Sequence, residues 1–311
     1  MSSPTSTLLV AVVGPTGSGK TDLALGIAEE FGGEIVNCDS LQIYRHFDIG
    51  SAKLPPGQRR GIPHHMLDVA APDANYSAGE YARQARPLLA EIAGRGKLPV
   101  VAGGTGLYLR ALLDGLFPGP ERNEELRARL AAREKRRPGS LHRLLRRFDP
   151  QSSARIHPGD RQKLVRALEV RLLLRQPLSL AFRSGRDPLT GFRALKVGIN
   201  PPREALYQRL NDRCRQMFEG GLIPEVQRIL SLGYPPTVKP LEAHGYRQAV
   251  QMLQGELDFD EALHDAQINT RRYAKRQWTW FRREPDVEWF DGFGDAPEVL
   301  RTVLDHIRKR R

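Results

Sequence analysis

The residues with the clearest chemical purpose stand near the amino end. Gly14-Pro15-Thr16-Gly17-Ser18-Gly19-Lys20-Thr21 satisfies the pattern GxxxxGK[ST] in full. Glycines at this spacing let backbone N–H groups turn inward around a phosphate. The start of a following helix adds partial positive charge, and Lys20 adds a full one. The Thr21 hydroxyl suits a place on Mg2+, which makes Thr21 the expected metal ligand. Phosphate binding is therefore expected along Gly14–Thr21. Kinases, ATPases and GTPases share such a loop, so it does not name a reaction.

Later residues narrow the choice. Ile35-Val36-Asn37-Cys38-Asp39-Ser40 delivers a carboxylate to a strand end, where open α/β sheets bind ligands. Asp39 is placed to hold Mg2+, to act as a general base, or only to cap a helix. Gly103-Gly104-Thr105-Gly106-Leu107-Tyr108 also follows an apolar run and offers the Thr105 hydroxyl; a tight strand-to-helix turn explains it equally well. The segment Gln267–Arg283 interleaves Arg271, Arg272, Lys275, Arg276, Arg282 and Arg283 with Tyr273, Trp278, Trp280 and Phe281. Cations beside aromatic rings suit nucleic acid, although the indoles fit the core face of an amphipathic helix at least as well. Arg209 and Arg213 are four apart, on one helix face, and suited to clamping phosphates.

The elements that must carry these residues follow from periodicity. Apolar runs at Leu8–Val13, Glu34–Asn37, Leu98–Ala102 and Ala194–Ile199 read as buried parallel strands, the last of them closing the sheet. Helical patterns such as Asp22–Phe31 and Ala78–Ala93 lie between them, which predicts a P-loop-type α/β core with a parallel sheet. The pattern breaks from about Pro118 to Pro188, where Glu124–Arg136, Ser140–Phe148 and Arg161–Arg175 read as helices without a strand. An all-helical insertion over 118–188 is expected, inside a core of 1–117 and 189–311. Helices return over Arg203–Glu219, Ile223–Leu232, His244–Leu253 and Asp260–Arg283.

Charge points the same way. The chain carries 48 Lys+Arg against 36 Asp+Glu, a formal net charge of +12. Eighteen of those cations and only eight of the acids fall between Phe117 and Thr190. A basic block of this density attracts polyanions. The two cysteines, Cys38 and Cys214, form no CxxC pair, so no zinc site or disulfide framework is implied. The longest apolar run is far short of the ~20 residues of a membrane span, and Met1–Thr7 lacks the positive charge that opens a secretory signal. A cytoplasmic protein without a membrane partner is expected.

Taken in order, these motifs resemble the bacterial tRNA dimethylallyltransferases, the isopentenyl-tRNA transferases. The likeness runs from about Leu8 to Trp289. It rests on the P-loop, on Asp39-Ser40-Leu41-Gln42-Ile43-Tyr44 with Asp48-Ile49-Gly50-Ser51-Ala52-Lys53, and on Gly103–Tyr108. Ala154-Arg155-Ile156-His157-Pro158, Arg166-Ala167-Leu168-Glu169-Val170, Gly245-Tyr246-Arg247-Gln248 and Lys275-Arg276-Gln277-Trp278-Thr279-Trp280-Phe281-Arg282 follow. The resemblance implies transfer of a dimethylallyl group from its diphosphate to the exocyclic amine of the adenine just 3′ of certain anticodons, with Mg2+ and by a monomer. It implies that the phosphate held along Gly14–Thr21 is a prenyl diphosphate, and it implies catalytic roles for Asp39 and Thr105. It also implies tRNA contacts from Asp39, Ser40, Leu41, Gln42 and Thr105, and from Arg127 in the insertion. Further tRNA contacts carry over to Gln162, Lys163, Leu164, Val165 and Arg166, to Glu242, Ala243, His244, Gly245, Tyr246 and Arg247, and to Lys275, Arg276, Gln277, Trp278, Thr279, Trp280, Phe281 and Arg282. Eukaryotic relatives add a zinc finger; no cysteine follows Cys214, so its RNA contacts are not expected here. Two rival readings stay open: a small-molecule kinase using ATP, and a non-catalytic RNA-binding P-loop protein.

Overall fold

The computed structural model describes residues 6–117, 119–181 and 185–311. Pro118, expected to open the insertion, and the first five residues, read for a leader, lie outside them. The chain divides into two compact units, Met1–Leu113 with Leu189–Arg311, and Asp114–Pro188. The second unit begins four residues earlier than expected, where a helix ends at Leu113. The Leu189 N–H donates to the Leu113 carbonyl at 2.8 Å, which pins the two crossover points of the first unit together.

The first unit runs β1 (Thr7–Val13), α1 (Lys20–Phe31), β2 (Gly33–Asn37), β3 (His64–His65), α2 (Ala78–Gly94), β4 (Leu98–Ala102) and α3 (Gly106–Leu113). The second unit packs α4 (Glu124–Arg136), α5 (Ser140–Phe148), α6 (Pro150–Arg155), α7 (Arg161–Leu174) and α8 (Leu178–Ala181). The first unit resumes with β5 (Phe192–Asn200), α9 (Arg203–Met217), α10 (Ile223–Ser231), α11 (Tyr246–Leu253), α12 (Phe259–Phe281), β6 (Val287–Asp291) and α13 (Pro297–Arg308).

The six strands form one parallel sheet in the order β3-β2-β4-β1-β5-β6. Side chains of β1 alternate between two cores. Leu9, Ala11 and Val13 join Val36 and Val101 on the face holding Tyr81, Leu109, Tyr246 and Phe281, and Leu8, Val10 and Val12 join Ile35, Val100 and Val197 on the face holding Leu23, Ile27, Val303 and Ile307. Burial on both faces explains why the strands read as continuous apolar runs. The sheet does not close at Ala194–Ile199, as the sequence had suggested: β6 adds an edge beyond it, and β3 adds a two-residue edge opposite. Both edges are short and carry polar residues, so neither shows the long apolar run of a buried strand.

In the second unit Leu130, Leu141, Leu145, Leu164, Leu168 and Val170 form the core. Three of its few acids are buried and serve backbone and hydroxyl groups. Glu134 accepts from the Gly139 and Leu141 N–H groups, Asp149 from Ser152 and Ser179, and Glu169 from Arg127, Arg166 and the Asn123 N–H. Burial alone would raise the Glu169 carboxyl, but these donors hold it down at about 2.

Among the described residues the long segment between β2 and α2 forms a β-bridge with itself only at Tyr44 and Ala70, and α10 supplies an acceptor for its turn at Asp48–Gly50. The buried Glu225 carboxylate accepts from the N–H groups of Asp48, Ile49 and Gly50 at 3.0, 2.8 and 3.3 Å, and from the Tyr246 hydroxyl at 2.5 Å. Lys53, also buried, lies 2.7 Å from both Asp48 and Asp68. Glu225→Ala strands the buried Tyr246 hydroxyl and three half-buried N–H groups and is expected to cost about 3–5 kcal/mol, against roughly 1–2 for Tyr246→Phe. Urea denaturation of the two variants checks the order; equal costs would show that Glu225 does not organise this loop.

Candidate active site

Between β1 and α1 the loop Gly14–Thr21 turns on three glycines in left-handed conformations, Gly14, Gly17 and Gly19, with Gly19 at φ +83° capping α1. The loop is held from within and from outside. Lys20 Nζ donates to the Pro15 carbonyl at 2.7 Å, the Gly294 N–H donates to the Ser18 carbonyl, and Arg213 donates to the Thr16 hydroxyl at 2.7 Å. The Ser18 hydroxyl is fully buried with no partner. Burial lowers the Lys20 pKa to about 8; Asp39 opposes that shift and Arg213 adds to it.

A cavity of about 240 Å³ opens over this loop at the carboxyl edge of the sheet. Thr16, Lys20 and Thr21 line it from the P-loop, Asn37, Asp39 and Gln42 from the end of β2, and Gly103 and Gly104 from the end of β4. Asp22, Ser51, Ala52, Arg209 and Arg213 also line it. The structure thus brings the P-loop, Asp39 and Gln42 into one recess. Arg209 and Arg213 both face it, and Arg209 is held by a two-point pair with Asp295 at 2.9 Å.

Asp39 caps no helix, the reading considered from sequence, because a turn and not a helix follows it: its Oδ1 accepts the Leu41 N–H at 2.8 Å, while its own N–H donates to Asn37 Oδ1. It also lines the cavity, so the two roles coexist. Gln42 donates from Nε2 to the Ser51 and Ala52 carbonyls at 3.1 and 3.3 Å. Thr105 stands one residue behind Gly104, its hydroxyl accepting the Ser40 N–H at 2.9 Å and donating to the Ser40 hydroxyl. Tyr273 had no assigned role. Burial raises its phenol, Asp39 adds to the rise, and hydrogen bonds with Thr105 and Gln277 oppose it. Its place among the interleaved aromatic and basic residues of Gln267–Arg283 was the sequence signal for it.

Several residues marked for RNA by resemblance sit otherwise. Leu164 is fully enclosed in the core of the helical unit, and Tyr246 and Phe281 in the core of the sheet unit, because each is an apolar or aromatic position on the inner face of its helix. Their side chains do not reach a surface ligand. Trp278 is 9% exposed and donates from Nε1 to Asn200 Oδ1 at 2.9 Å. Gln277 is buried. Arg127 and Arg166 point at Glu169, at 2.7 Å each. Exposed instead are Gln162 and Lys163, Glu242 and Arg247, and Lys275, Arg276, Thr279 and Arg282, while Ala243, His244, Gly245 and Val165 are half-buried. Burial and the cations Arg213, Arg276 and Arg247 lower the His244 imidazole to about 4, so it is neutral.

The exposed strip of α12 lies between two recesses. One, of about 450 Å³, is lined by Trp278, Tyr207, Arg203 and Arg282; the other, of about 530 Å³, by Trp280, Arg110, Arg272, Arg276 and Arg283, with Lys275 and Thr279 bordering both. The Arg110 guanidinium stacks 4.6 Å over the Trp280 ring. Among the described residues no helix is long and apolar enough to cross a membrane, and no cluster of three or more His, Cys, Asp or Glu side chains is placed to cage a metal.

Comparison with known proteins accords with this geometry. The IPP transferase family model matches residues 42–284, and an isopentenyl transferase model matches residues 7–62. A tRNA dimethylallyltransferase of Solibacter usitatus is 61% identical over 97% of this chain and 98% of its own, and that of Koribacter versatilis is 54% identical over 97% and 98%. Among solved structures, the tRNA isopentenylpyrophosphate transferase of Bacillus halodurans superposes with a TM-score of 0.72 at 35% identity, covering 98% of this chain and 96% of that one. A eukaryotic dimethylallyltransferase acting on tRNA gives 0.82 at 25% identity, covering 98% and 80%. With sequence likeness over nearly its whole length and the same fold beneath it, the chain belongs to the IPP transferase family, alongside the tRNA dimethylallyltransferases.

Proposed function

We propose that this protein transfers the dimethylallyl group of dimethylallyl diphosphate to N6 of the adenine immediately 3′ of the anticodon in tRNA. The observation that carries the reading is the single recess joining the P-loop to Asp39 and Gln42. The ATP-kinase reading is not favoured, since the relatives and structural neighbours are tRNA prenyl transferases.

In this reading the loop amides, Lys20, Arg209 and Arg213 hold the diphosphate and stabilise the charge it gains on leaving. The adenine amine forms a C–N bond to the allylic carbon as the C–O bond to diphosphate breaks. The amine proton, acidic only as that bond forms, passes to the Asp39 carboxylate. Gln42 reads the base, which must leave its stack to arrive, and Thr105 holds the loop of Asp39 through Ser40. Thr21 on the cavity wall would hold Mg2+, a hard cation whose remaining places suit phosphate oxygens and water. When bound, Mg2+ neutralises charge on the diphosphate. The exposed cations of α12 and its two tryptophan-floored recesses support a grip on the tRNA backbone and its unpaired bases.

Asp39→Asn keeps the shape and removes the base. Its single-turnover rate is expected to fall about 100-fold or more, with both substrates still bound. A near-normal rate would leave Asp39 with only its bond to Leu41.

Lys20→Ala should abolish transfer while leaving tRNA affinity within a few-fold. The Lys20 pKa of about 8 also sets a pH dependence. Bound diphosphate favours the ammonium and raises that pKa, so its affinity is full below pH 8 and falls above it, by at most about tenfold per unit. Calorimetric titration checks this, and Lys20→Arg, which stays charged, should remove the fall.

Replacing Lys275 and Arg282 by glutamine should reduce the slope of log tRNA affinity against log salt by about 0.7–0.9 per phosphate contact, somewhat under two in all. Identical slopes for variant and parent would remove α12 from the RNA surface.

A further inference from the structure

Gln277 commits both ends of its amide to backbone in loops far apart in sequence. Oε1 accepts the Thr16 N–H at 2.7 Å, and Nε2 donates to the Gly104 carbonyl at 2.9 Å. Only 5% of the residue is exposed. The approach to Gly104 is so close that a Cβ there would lie 2.0 Å from Nε2, so the second glycine of Gly103-Gly104-Thr105-Gly106 makes room for this side chain. Thr16 is held from a second direction by Arg213. Thr16 belongs to the loop that takes the diphosphate. Gly104 adjoins Thr105, whose hydroxyl fixes the Ser40 N–H beside Asp39.

Carboxamides suit this place because they carry an acceptor and a donor on one rigid plane, which neither a carboxylate nor an ammonium does. We propose that Gln277 is a positioning residue, a strut that sets the separation between the leaving-group loop and the acceptor side of the cavity, and not a tRNA contact. The proposal rests on the transfer reaction proposed above. Its consequence is kinetic: shifting one reacting partner by about 1 Å costs on the order of 100-fold in rate without weakening the binding of either.

The test uses the full chain, dimethylallyl diphosphate and an unmodified tRNA, measuring single-turnover transfer with both substrates saturating and tRNA affinity by filter binding. Gln277→Met is close in size and lacks both hydrogen bonds. Its rate is expected to fall about 100-fold, with tRNA affinity within about twofold of the parent. Gln277→Glu keeps the acceptor but sets a carboxylate against the Gly104 carbonyl. Protonation restores a donor, so its rate relative to the parent should climb as pH falls from about 8 to 5.5, a response that a merely structural role would not give. Gly104→Ala should reproduce the defect of Gln277→Met, and the two losses should be far from additive when combined. A Gln277→Met enzyme within about threefold of the parental rate overturns the strut, whatever its tRNA affinity. Should that variant unfold, Gln277→Glu decides alone, and a ratio independent of pH overturns it. A parent chain that transfers nothing from dimethylallyl diphosphate to tRNA would defeat the functional reading itself, and this inference with it.

Discussion

Loops that leave the carboxyl edge of a parallel sheet carry backbone N–H and C=O groups that no strand can pair, and an unmet buried group costs about 1–3 kcal/mol. This protein meets that demand with buried side chains from helices later in the chain. Glu225 on α10 gathers three N–H groups of the loop after β2, and Gln277 on α12 joins the P-loop to the turn after β4. Asn37 does the same locally, accepting the Asp39 N–H, and Thr105 does so from the turn after β4, accepting the Ser40 N–H. Because the partners come from the second half of the chain, the cavity exists only when α9, α10 and α12 are packed. The recess over the P-loop is thus a product of the whole sheet unit, although its first named motif occupies eight residues.

The same economy of polar groups shapes the electrostatics. In the helical unit the buried acids Glu134, Asp149 and Glu169 answer helix ends, hydroxyls and two arginines, while Arg143, Arg146 and Arg147 remain exposed on α5. Its surface is therefore more positive than its composition. In the sheet unit the opposite device operates. Lys20 is desolvated beside Arg213, with Asp39 as its counterweight, so the recess is poised for an anion that would restore the full ammonium charge.

Residues with periodic or fixed-spacing signals were legible from sequence. The four inner strands, the P-loop and Asp39 fall where alternation, apolar runs and the GxxxxGK[ST] spacing put them. Helix boundaries were close where caps are local, as at Asn123 before α4, whose side chain accepts the Leu126 N–H. The edge strands β3 and β6 escaped because a two-residue strand and a five-residue one broken by Glu288 and Asp291 carry too little periodicity, and α13 because it lies beyond the last motif. The resemblance marked a whole stretch, Lys275–Arg282, for RNA, but helical rotation turns Gln277 and Phe281 inward and Lys275, Thr279 and Arg282 outward.

By itself, then, the sequence determined the fold class, the phosphate loop, the basic insertion and the family, because each depends on neighbouring residues or on summed charge. Tertiary structure decided which side chains share the recess and which are occupied elsewhere. Arg127 and Arg166 became ligands of a buried Glu169, Tyr273 came to lie against Thr105, and Gln277 came to bridge Thr16 and Gly104 across 261 and 173 residues of chain. Such pairings arise from the packing of helices on a sheet, and no local spacing encodes them.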